Sequence, residues 1–176
     1  MTRSALRSVV VAGVAAVLMS GCGTPEAGSA ATVGGRRISV QDVQTATTEI
    51  QQLYGPDQPV PQRSVLFLLA AAPYLETIGT KLQAGATDDD ARKAFADKIA
   101  HPSQAAISVI RANATLNNLS SAGGDQASKA LAEITQDLAR DKFTVNPRYG
   151  TFDPERGSLL PEQPNWLPTP PPTATP

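Results

Sequence analysis

Eight consecutive apolar residues, Val65-Leu66-Phe67-Leu68-Leu69-Ala70-Ala71-Ala72, do most to limit the folds open to this chain. On a helix they leave no polar face, so Val65 to Leu82 must lie in the middle of a domain with partners on every side. The stretch is too short to span a membrane, and Glu76 and Lys81 interrupt it too soon. Pro73 is a point where it can kink, and Gly79 and Gly85 loosen and end it.

The flanking segments supply helical partners. Ser39 is an N-cap for a helix whose stripe is Val40, Val43, Thr47, Ile50 and Tyr54, ended by Gly55-Pro56. Thr87 with Asp88, Asp89 and Asp90 opens the next helix, with Ala91, Ala94, Phe95 and Ile99 inward. A divalent-cation site is the competing use of that acidic triplet, but no further ligands are spaced around it. His101-Pro102 breaks the chain, and His101 reads as a loop residue before a general base. Ser103 to about Ser120 forms a helix with Ala106, Ile107, Ile110 and Ala114 inward. Asp125 caps a last one with Ala127, Leu131, Ile134 and Leu138 inward.

Strand signals are few and sit at the two ends of this region. Ala31-Thr32-Val33, Gly34-Gly35 and Arg36-Arg37-Ile38 read as a hairpin around a tight turn. A two-stranded hairpin is marginal alone, and Phe143-Thr144-Val145 is the one later segment with strand character. The expected fold is therefore mainly α, with a small two- or three-stranded β element joining the start and end of a domain over residues 31–160. The final stretch, 161–176, holds seven prolines and favours solvated polyproline II, which buries no core.

Composition excludes several chemistries. One histidine and one cysteine cannot assemble a His/Cys zinc site, an iron–sulfur cluster, a bis-histidine haem or a disulfide within one chain. The net charge is −1, with no Lys/Arg cluster to neutralise phosphates, which speaks against nucleic-acid binding. No phosphate-cradling glycine loop or nucleophile elbow occurs. No metal, cofactor or catalytic set is expected. Glu133 and Asp137 stand one helical turn apart, as an acid/base pair would, but such pairs more often form a solvated face.

The chain begins with Arg3 and Arg7, then 11 apolar residues from Val9 to Met19, then Ser20-Gly21-Cys22. An 11-residue helix reaches about 16 Å against a hydrocarbon core of ~30 Å, so this is a signal-peptide core, not a span. Here the chain resembles a bacterial lipoprotein: Met19, Ser20, Gly21 and Cys22 match the lipobox, with Met19 where Leu is usual and Leu18 one place earlier. The resemblance implies cleavage after residue 21 and a diacylglycerol on Cys22, often with an N-acyl chain. It places the protein on the extracytoplasmic face of the cell membrane, with residues 22–30 as a tether.

A second resemblance covers roughly residues 30–155. Ala31-Thr32-Val33-Gly34-Gly35-Arg36-Arg37-Ile38-Ser39 and Val145-Asn146-Pro147-Arg148-Tyr149-Gly150-Thr151-Phe152-Asp153 are similar to the opening and closing motifs of the SurA/PrsA N-terminal chaperone domain, especially in its actinobacterial lipoprotein members. Gly34 stands where the family usually has Asn. Full members add a parvulin isomerase domain of about a hundred residues with paired histidines; neither is present. The resemblance thus implies a chaperone-like, client-holding lipoprotein without isomerase activity. An adaptor lipoprotein for one specific envelope protein is the alternative. Arg148 and Tyr149 are the residues singled out: either they contact a partner or client, or Tyr149 packs on the hairpin and Arg148 pairs with a carboxylate.

Overall fold

The computed structural model describes residues 28–122 and 124–161. The lipobox residues Met19, Ser20 and Gly21, the lipidation candidate Cys22, most of the tether and the tail from 162 lie outside the described residues. The chain forms β1 (Ser29–Val33), β2 (Arg36–Ser39), α1 (Val40–Tyr54), α2 (Gln62–Lys81), α3 (Asp88–Phe95), α4 (Gln104–Ser121) and α5 (Gly124–Arg140). Then follow β3 (Thr144–Val145), a 3₁₀ turn (Pro147–Tyr149), β4 (Thr151–Asp153) and β5 (Ser158–Leu160). The fold is mainly α with small antiparallel sheets.

Gly34 and Gly35 take φ of 56° and 77°, which L side chains adopt only at a cost, and so turn β1 back onto β2. On its other edge β1 pairs antiparallel with β3, Ala31 opposite Val145 and Thr32 opposite Thr144, giving the order β2-β1-β3. The start and end of the domain are joined by this sheet, as the lone late strand predicts. Asn146 fastens the joint: its amide N–H donates to Ala30 O at 2.9 Å and its side chain to Ser29 O at 3.1 Å.

Helix α2 is the central one, with Val65, Leu66, Leu69, Ala70, Ala71, Ala72, Leu75 and Ile78 buried. It runs on through Pro73, which has no N–H for Leu69 O. Arg36 from β2 supplies the missing donor, its guanidinium reaching Leu69 O at 3.2 Å and Ala70 O at 3.1 Å. The next residue, Tyr74, donates to Asp141 Oδ2 at 2.6 Å, while Asp141 O accepts from Gly34 N at 2.7 Å. The hairpin turn, the proline step of α2 and the end of α5 are thereby tied together.

Gly79 lies inside α2 and packs rather than loosens: a Cβ there would come 2.8 Å from Thr115 Cγ2 and 2.9 Å from Gly85 Cα. Ser39 caps α1 through Asp42 N, and Ser103 caps α4 through Ala106 N while donating to Glu49 Oε2 at 2.7 Å. Thr87 and Asp90 form a reciprocal capping box.

Some inward assignments shift by one residue. Ala46 and Ala130 are buried, whereas Tyr54 and Leu131 are 44% and 38% exposed. Each is only partly covered by the described residues around it. Ala94 is exposed, and Ile99 lies beyond the end of α3. Helix α5 begins at Gly124, so Asp125 lies in its first turn instead of preceding it.

Candidate functional site

The closing segment, residues 147–161, wraps past the start of α2 and leaves a groove between them. One part, about 290 Å³, is lined by Arg63, Ser64, Phe67 and Leu68 of α2 and by Ser158 and Leu159 of β5. The adjoining part, about 590 Å³, is lined by Pro61, Gln62, Arg63, Arg148, Tyr149, Gly150 and Pro161 among others. Arg63 belongs to both, so the groove runs from an apolar floor to a basic end. Its size is that of ordinary ligand clefts, roughly 300–1,000 Å³.

Local chemistry explains each wall. Asn146 Oδ1 accepts from Arg148 N at 3.1 Å and starts the 3₁₀ turn, with Pro147 in its first position. The turn drives Tyr149 into the core, 5% exposed, and leaves Arg148 outside. Gly150 has φ of 105°, and a Cβ there would sit 2.0 Å from Leu160 O, so only glycine lets β5 close on the turn. Phe143 and Phe152 pack behind it, ring centroids 5.0 Å apart. Among the described residues, strands β4 and β5 form a sheet of two, so β5 is an edge strand there.

The electrostatics are uneven. Neither Arg63 nor Arg148 is paired with a carboxylate among the described residues, and α2 begins with no acidic residue in its first turn and no side-chain cap. A cation there adds to the positive end of the helix instead of balancing it. Burial raises the Tyr149 hydroxyl above its ordinary pKa, with nearby Arg148 opposing, and the hydroxyl has no hydrogen-bond partner among the described residues.

The two residues singled out from the sequence thus part company: Tyr149 packs in the core, and Arg148 faces the groove, unpaired with any carboxylate among the described residues. Sequence reasoning missed Arg63, Phe67, Leu68, Ser158 and Leu159. One signal was available, an arginine at a helix start where acids are favoured. Elsewhere Asp88 lies 3.0 Å from Arg111, Asp90 closes the cap, and no group of three or more His, Cys, Asp or Glu is placed to hold a metal among the described residues. His101 is exposed in the α3–α4 connection; Glu133 is exposed, and Asp137 is ion-paired with Arg140 at 2.8 Å.

No family model, curated protein or solved structure matches this chain.

Proposed function

We propose that this chain is a lipid-anchored extracytoplasmic protein that holds extended segments of other proteins and has no isomerase activity. The observation that carries the holding activity is the groove beside β5, where an apolar floor lies next to a strand edge that no described residue pairs with. Such a surface engages main chain and apolar side chains, which extended segments of many different proteins offer. Affinity then depends on apolar area, at about 25 cal/mol per Å² buried, and not on a titrating group. The lipid anchor is supported by the lipobox ending at Cys22, the sole cysteine of the chain.

The purified full chain is expected to slow aggregation of several unrelated unfolded proteins at a few-fold molar excess, without accelerating a proline-limited refolding step. Measured isomerase activity overturns the proposal. Absence of any holding effect, with one stoichiometric envelope protein recovered by crosslinking, establishes the adaptor instead. Cys22→Ala is expected to remain unprocessed or to leave the membrane fraction; a processed form still in that fraction refutes the anchor.

A further inference from the structure

We infer that the groove selects extended segments carrying a carboxylate about three residues from an apolar side chain, an inference that rests on the holding activity proposed above. Three observations converge on this ligand. First, β5 runs from Ser158 and Leu159 beside the apolar floor to Leu160, and Pro161 follows at the basic end, so a strand laid along its outer edge passes both parts in turn.

 

Ser158 and Leu159 face Phe67 and Leu68 across the floor, and Pro161 lies beside Arg63 and Arg148. Ser158 to Pro161 spans about 10 Å of extended chain, which sets the three-residue spacing. Second, among the described residues β5 has a strand partner on one side only, so the main chain of a ligand can add to its other edge. Third, the basic end is uncompensated. Arg63 comes from α2 and Arg148 from the 3₁₀ turn, and no carboxylate of the described residues pairs with either.

The charge complement of these two guanidinium groups is a carboxylate, which each can grip through two parallel N–H donors. The apolar floor of Phe67, Leu68 and Leu159 supplies the other half of the specificity. A basic segment meets repulsion at Arg63 and Arg148, so the groove favours acidic clients and rejects basic ones. Because the arginines are exposed, the preference weakens as salt screens them.

The test uses the full chain and two labelled ten-residue peptides, one with Leu and Asp three residues apart and one with Lys replacing the Asp. Fluorescence anisotropy at low salt is expected to show the acidic peptide binding about tenfold more tightly. The double variant Arg63→Glu/Arg148→Glu is expected to reverse that order while keeping the parent melting temperature. Should it fail to fold, Arg63→Gln and Arg148→Gln singly are expected to erode the acidic preference. Equal binding of the two peptides, or an order unchanged by these substitutions, overturns the acidic selectivity and leaves the holding activity standing on its aggregation assay. Binding of neither peptide, with no suppression of aggregation, overturns both.

Discussion

Two clefts flank helix α2, and each contains arginine, yet they are built to opposite ends. Near the C-terminal half of α2, a cleft of about 440 Å³ is lined by Glu76, Gly79, Gly85, Asp88 and Arg111 among others. There Arg111, only 21% exposed, lies 3.0 Å from Glu76 and 3.0 Å from Asp88, so α2, α3 and α4 meet around one neutralised cation. Near the N-terminal half, Arg63 and Arg148 line a larger cleft with no carboxylate of the described residues paired to them. A charge whose partners belong to its own fold is committed to stability. One left exposed beside a cavity is available to something outside the fold.

Substituting the two kinds of arginine is the sharpest way to break this comparison. Arg111→Ala leaves Glu76 and Asp88 close together without their cation and is expected to cost about 1–2 kcal/mol, read as a fall in Tm by calorimetry. Arg148→Ala and Arg63→Ala are expected to change stability by less than about 0.5 kcal/mol while weakening binding of the acidic peptide. Equal destabilisation by all three would make the open cleft as structural as the closed one.

A smaller effect is expected at another committed charge. The hydrogen bond from Tyr74 holds the Asp141 carboxyl below its ordinary pKa, with Arg140 assisting. Burial and the Asp141 bond push the Tyr74 hydroxyl up to about 12. A depressed carboxyl contributes stability that is present above its unfolded value, 3.8, and is lost as pH falls through its lower folded value. Tyr74→Phe is expected to lower Tm by about 3 °C at pH 7, with the gap to the parent closing below pH 3.8. A gap that stays constant down to pH 2 would show that Asp141 is not the partner that matters.

Legibility followed the range over which each signal acts. The Gly34-Gly35 turn, the caps at Ser39 and Thr87, and the all-round apolar face of α2 were readable because each is decided within a few residues. The pairing of β3 with β1 was readable by elimination, since one late segment had strand character. The β4–β5 hairpin was not: two three-residue strands offer too little alternation to mark a face. Tyr54 and Leu131 carry the helical period yet stay exposed, because a stripe says which residues align and not how far its cover extends.

By itself, the amino-acid sequence determined the helices, their caps, the glycine turn and the need to bury α2, since these follow from local dihedral preference and hydrophobic period. It also set the supply of reactive groups, one histidine and one cysteine. Only the tertiary structure decided which charges are spent and which are left over. Arg36 was drawn to the carbonyls exposed by Pro73, and Arg111 was drawn between Glu76 and Asp88. Arg63 and Arg148, 85 positions apart in the chain, were brought to one groove. Pairing depends on distances of 3–4 Å between side chains that the chain order keeps far apart, so no local pattern encodes it.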